Sequence, residues 1–186
     1  MGGRIAHDYH YNAIHKGGFR WYEPTTPNRT IDVATSGTYT VQRFAYPEAG
    51  PKTLRIPRSG SQYFYVEYRQ PYGFDAFPPN DPMVQGVTIH LGFLYGQGTA
   101  SYGAQSFLID ATANSHANWW DDLQDAALPV GSVFTDATNG VSIRTVSISS
   151  ASATVQVDLT CIRRTPSFVM VPPSPWQQPG QAVQYT

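Results

Sequence analysis

Apolar and polar residues alternate along most of the chain, and the alternation has a period of two rather than 3.6. Arg29-Thr-Ile31-Asp-Val33-Ala and Gly37-Thr-Tyr39-Thr-Val41-Gln-Arg-Phe44 carry it on either side of Thr35-Ser36-Gly37, which predicts a β-hairpin. Lys52-Thr-Leu54-Arg-Ile56-Pro57 gives a third strand. Tyr63-Phe-Tyr-Val-Glu67-Tyr-Arg69-Gln70 gives the strongest one, rich in the aromatic and β-branched residues that suit a pleated surface. Within it Glu67 and Arg69 share a face, two residues apart, and are read as a structural ion pair in preference to a catalytic carboxylate.

Pro71 to Pro82 predicts the longest irregular loop. Val84-Gln-Gly-Val87-Thr-Ile89-His90-Leu91 alternates again and puts His90 on the face opposite Val87, Ile89 and Leu91. Gly96 to Gly103 reads as a connection, and Ala104 to Asp110 as a short, largely buried strand. Ala111 to Asp125 is expected to form an ordered loop with one helical turn. Val130 to Asp136, Val141 to Ile148 and Ala153 to Leu159 complete the strands. Asn139-Gly140 supplies a tight turn, because both residues tolerate positive φ. The break in phase between Ile143 and Val146 predicts a β-bulge.

About nine strands and one short N-terminal helix, Tyr9 to Lys16 stopping at Gly17-Gly18, predict an all-β fold. The expected form is an antiparallel two-sheet β-sandwich, jelly-roll-like or immunoglobulin-like. Its expected parts are a His-rich segment over residues 1–23, the sandwich over 24–165, and a proline-rich extended tail over 166–186 with Pro166, Pro172, Pro173, Pro175 and Pro179.

Composition narrows the function. The 186 residues are 41% hydrophobic and 13% aromatic, and only 13% are charged, against about a quarter in an average globular chain. A formal net charge of -1 gives no basic excess to neutralise phosphates, so nucleic acid is not an expected partner. No apolar run approaches the ~18 residues of a membrane span, and the N-terminus lacks a signal-peptide layout. Membrane is not expected either, and localisation stays open. The single cysteine, Cys161, allows no intramolecular disulfide and is read as an inert thiol.

Chemistry-bearing residues concentrate at the start. Three of the five histidines, His7, His10 and His15, lie within the first twenty residues beside Asp8. Imidazole is the commonest neutral metal ligand, so this cluster, with His90 or His116 as a remote ligand, is a candidate zinc site. Asp8 would serve as ligand, as acceptor for an imidazole N–H, or as general base. On a helix His7 and His10 share a face, while His15 lies too far along for one ion unless the chain bends. A solvated surface pair is the plainer account of His7 and His10. Trp119-Trp120, with Asp121, Asp122 and Asp125, and Phe74 in the proline-rich loop are candidate substrate-binding residues. The Trp pair equally suits closing one end of the core, and the acids give only a weak calcium signal without EF-hand spacing.

The run from Tyr11-Asn-Ala-Ile-His-Lys through Ser36-Gly-Thr-Tyr-Thr, Tyr63-Phe-Tyr-Val-Glu-Tyr-Arg-Gln-Pro, Gly73-Phe-Asp, Gly86-Val-Thr-Ile-His-Leu, Leu108-Ile-Asp-Ala, Ala127-Leu-Pro-Val-Gly and Phe134-Thr-Asp resembles bacterial gametolysin-like metallopeptidases. The resemblance spans most of the chain and is similar to the family's stretch from the Met-turn through the last catalytic helix into the following β-sandwich, with Met1-Gly2-Gly3 at the Met-turn. It implies a secreted parent. The zinc-binding His-Glu-x-x-His helix is absent, and with it the general base of that protease chemistry. A working metzincin is therefore not expected.

Two functions follow as expectations. One is a small zinc-dependent hydrolase of activated esters or phosphoesters, in which three neutral ligands lower a bound water's pKa to ~7. The other is a non-catalytic accessory or binding domain of a metallopeptidase, with protein or glycan as partner. Retention of the His segment ahead of the sandwich inclines the reading to the hydrolase.

Overall fold

A computed structural model describes residues 10–19, 21, 29–78, 80–93 and 106–160. Among the described residues ten strands form two sheets: β1 (Thr30–Asp32), β2 (Gly37–Gln42), β3 (Thr53–Pro57), β4 (Gln62–Glu67), β5 (Gly86–Phe93), β6 (Ser106–Ile109), β7 (Leu128–Pro129), β8 (Val133–Asp136), β9 (Val141–Ile148) and β10 (Ser152–Leu159). The larger sheet has the order β1-β3-β4-β5-β6, with β7 also pairing to β5; the smaller has the order β2-β10-β9-β8. All pairings are antiparallel except β1 with β3.

Alternation builds the core. Leu54, Ile56, Phe64, Val66, Val87 and Ile89 face inward from the larger sheet and meet Val41, Val141, Ile143, Val155 and Val157 from the smaller. Two apolar faces closing on each other in this way give an all-β, sandwich-like fold. The bulge lies where the phase breaks: Ser147 pairs with Thr154 and Thr145 with Val155, which leaves Val146 without an opposite number.

Two local expectations are corrected. Residues 29–44 do not form a hairpin, because β1 pairs with β3 while β2 pairs with β10 in the other sheet. Thr35-Ser36-Gly37 is a corner between sheets, held by the Leu159 N–H donating to Ser36 Oγ at 2.7 Å and the Tyr39 hydroxyl donating to the Thr35 carbonyl at 2.6 Å. β6 is an edge strand only partly covered, with Phe107 exposed.

Sheet pleating leaves the outer face of β3, β4 and β5 with Arg55, Tyr63, Tyr65, Glu67, Thr88 and His90, which the pairing register sets side by side. Glu67, Tyr65, Thr88 and His90 are nonetheless buried. Helix α1 (Ala13–Gly18) lies over them, and Ala13 and Ile14 pack with Tyr65 and Phe44 as a second, smaller core. Helix α2 (Trp119–Asp122) is the turn expected before β7.

Candidate functional site

The N-terminal segment starts its helix later than its sequence suggests, because Asn12 caps it. The Asn12 side-chain oxygen accepts the His15 N–H at 3.1 Å, and the helix closes at Gly17-Gly18 with the Phe19 N–H donating to the His15 carbonyl. Glu67, fully buried on β4, accepts the Ala13 N–H at 2.6 Å, satisfying a helix N–H that has no partner within the helix. A second tie runs from the Asn12 side-chain amide to Ser106 Oγ.

Arg69 joins this contact to the next loop. Its guanidinium donates to Glu67 Oε2 at 3.0 Å, to both oxygens of Asp75 at 3.3 Å and to the His10 carbonyl at 3.2 Å. Asp75, also buried, accepts the His10 backbone N–H at 2.9 Å. The expected Glu67–Arg69 ion pair is thus present, and it is the centre of a clamp fastening residues 10–18 to the sheet. Phe44 is met by two cations, with Lys16 Nζ 4.2 Å and the Arg69 guanidinium 4.8 Å from its ring centroid. Burial pushes the Lys16 ammonium down to about 8, against the pull of Glu67.

The histidines separate. His10 stands edge-on to Phe74, ring centroids 5.5 Å apart, under Gly73. His15 turns its Nδ1 to Asn12 Oδ1 at 2.8 Å. His90 is 7% exposed beneath the segment, with Nδ1 3.9 Å from Glu67 Oε1, beyond hydrogen-bond distance. His116 lies in the 110–125 loop with Nε2 3.7 Å from Asp125. His7 and Asp8 lie outside the described residues, as do Cys161 and the proline-rich tail. Burial lowers the pKa of His10, His15 and His90, the last to about 3 with Arg69 and His15 adding repulsion. His10 Nε2 and His90 Nδ1 are buried without hydrogen-bond partners. Among the described residues no three His, Cys, Asp or Glu side chains are grouped to hold a metal ion. The described residues therefore do not by themselves fit a zinc.

The expected substrate-binding aromatics are also dispersed. Trp119, 68% exposed, packs edge-on against Trp120 with centroids 5.3 Å apart, and neither belongs to a core cluster, so the pair does not close the sandwich. Phe74 is 65% exposed against His10. Around the Trp pair, Asp122 accepts the Asn114 and His116 N–H groups and the Ser115 hydroxyl, which hold it down at about 2.

A different aromatic group emerges on the clamped segment. Tyr11, Phe19 and Trp21 are all exposed and touch one another: Tyr11–Phe19 centroids are 5.5 Å apart at 70°, Tyr11–Trp21 6.0 Å at 69°, and Phe19–Trp21 5.1 Å at 34°. Tyr11 also tilts against His15. The signal was in the sequence, since Tyr11, His15 and Phe19 follow a four-residue spacing that aligns side chains on one helical face. Attention to histidine density passes over it. The tie of Asn12 to Ser106 and that of Asp75 to His10 are likewise not legible in the sequence, because they depend on partners far along the chain.

No protein-family model, curated protein or solved structure matches this chain.

Proposed function

We propose that this protein is a non-catalytic binding module, an accessory domain of metallopeptidase-like descent, that holds a protein segment on Tyr11, Phe19 and Trp21. Within this proposal the sandwich is of the jelly-roll-like or immunoglobulin-like kind and serves as a rigid support. The observation that carries the reading is the exposed aromatic trio on a segment fastened by buried charges. Exposed aromatics lose little side-chain entropy on binding and are common anchors of protein interfaces. Protein is favoured over glycan because Tyr11 stands at about 70° to both Phe19 and Trp21, so the three rings do not form one flat platform. In addition, among the described residues the charged groups of the clamp, Lys16, Glu67, Arg69 and Asp75, are buried and do not offer hydrogen bonds to a sugar.

The test is binding to a panel of immobilised proteins, native and deglycosylated, by the wild type and by Phe19→Ala and Trp21→Ala. Binding that survives deglycosylation and chelation, and falls at least tenfold in either variant, is the expected result. Binding that depends on glycan, or on Trp119 rather than Trp21, would remove the assignment.

The two unpartnered ring nitrogens, His10 Nε2 and His90 Nδ1, favour a second reading, the zinc-dependent hydrolase of activated esters or phosphoesters. The ligands to be added to either nitrogen would have to come from His7 and Asp8, which lie outside the described residues. Metal analysis of the purified protein, with ester hydrolysis measured before and after chelation and in His90→Gln, decides it: no stoichiometric zinc ends this reading.

A further inference from the structure

We propose that the surface corner formed by Trp119 and Trp120 seats an arginine side chain of a partner protein, at a site separate from the face of Tyr11, Phe19 and Trp21. The two indoles meet at 83° with centroids 5.3 Å apart, so their faces stand as two walls near a right angle, and Trp119 is exposed. Leu123, four residues on from Trp119 and on the same helical side, is exposed too. None of the three belongs to a core cluster, and apolar side chains grouped at a surface in this way mark a contact site. The corner is also preformed. The Asn118 side chain accepts the Trp120 N–H at 3.0 Å, and Asp122 accepts the Asn114 N–H at 3.0 Å and the His116 N–H at 2.9 Å. An anchor already held in place loses little freedom on binding.

Charge selects the occupant. Residues 70–143 hold seven aspartates and no lysine or arginine. Asp136 is met by Arg58, whereas Asp121, Asp122 and Asp125 meet, among the described residues, only N–H and hydroxyl donors and His116. An indole face attracts a cation through its ring quadrupole, and guanidinium is the cation that stacks flat on a ring while donating to a carboxylate. Asp121, exposed and adjacent to Trp120 in the chain, supplies that carboxylate, with one oxygen accepting from Gln124 at 3.2 Å. A sugar stacks on a flat platform, which two rings near a right angle do not offer, and the same aspartates repel an anionic ligand.

The test titrates the full-length chain with an end-blocked Gly-Arg-Gly-Arg-Gly peptide while following the indole N–H resonances of Trp119 and Trp120, assigned by Trp119→Phe and Trp120→Phe. Saturable shifts of both indoles are expected. The same peptide with citrulline at both arginines, which keeps the shape and removes the charge, should bind about tenfold more weakly, as should the arginine peptide to Trp119→Ala. Asp121→Asn should weaken binding about threefold, as loss of an exposed charge pair does. Trp119 is exposed, so its replacement should leave the unfolding midpoint in place. Equal affinity for the arginine and citrulline peptides, undiminished binding to Trp119→Ala, or indoles unmoved by millimolar peptide overturns the proposal. So do shifts produced by a neutral oligosaccharide and not by the arginine peptide. Phe19→Ala should leave the peptide affinity unchanged, and a loss there would put the peptide on the aromatic trio and overturn the proposal as well. Binding of the protein panel reads the trio, so either surface can fail while the other stands.

Discussion

Two clusters of carboxylates in this molecule are held in opposite surroundings. Glu67 and Asp75 are removed from water and share one guanidinium, that of Arg69, while Asp122 and Asp125 stand at the surface and are met by backbone N–H groups, hydroxyls and His116. The buried pair fastens one part of the chain to another 54 to 65 residues away. The half-buried pair shapes a loop from donors within thirteen residues. Density of acidic residues in the sequence marks the second cluster, yet the first does the structural work, since a charge without a partner is costly only where water is absent.

The sharpest way to break this contrast is Arg69→Met, which leaves Glu67 and Asp75 buried without their cation. The expected loss is about 3–5 kcal/mol in denaturant unfolding, and a loss under about 1 kcal/mol would mean that the cluster is not a clamp. Acid acts on the same region. His90 has a folded-state pKa of about 3, below its ordinary value, so it is neutral in the fold and takes up a proton on unfolding. The stability it contributes is complete above pH 6.5 and is lost as pH falls from there towards 3, at up to about 1.4 kcal/mol per pH unit. Unfolding measured at pH 7.5 and pH 5 should show this slope in the wild type and a shallower one in His90→Phe.

Gly73→Ala is smaller in effect. Gly73 has φ +58°, and a Cβ there would stand 3.2 Å from His10 Nε2, so the expected cost is about 1–2 kcal/mol. The smallest effect belongs to the surface cluster of Asp122 and Asp125. Asp122→Asn should leave the unfolding midpoint in place while speeding amide exchange at Asn114 and His116, whose N–H groups it accepts. A midpoint shift as large as that of Arg69→Met would erase the distinction between the two clusters.

Strands were legible because their physics is local. β4 shows in its aromatic and β-branched run, and the bulge at Val146 shows in a lost residue of phase. The corner at Thr35-Ser36-Gly37 was misread because turn residues favour a change of direction without saying which strand comes next. Only the pairing of β2 with β10, set by residues beyond 150, decides that. The Glu67–Arg69 pair was readable from its spacing, but Asp75, His10 and Ala13 were not, since nothing near them in sequence announces Glu67 or Arg69. The histidines drew the eye by number, whereas burial decides their state: His90 lies under a helix with its Nδ1 unpaired, and His116 lies in another loop.

Connectivity also sets an order of assembly. β3, β4 and β5 are consecutive antiparallel neighbours and can pair as each is reached, with little chain to close. The smaller sheet is finished only when β2 meets β10, whose ends are tied by Ser36 and Leu159 across 123 residues. Contacts of such separation are the slow ones in folding. Pulse-labelled refolding should therefore protect the amides of β4 and β5 before those of β2, so that β2 remains an unpaired edge until the last strand is in place.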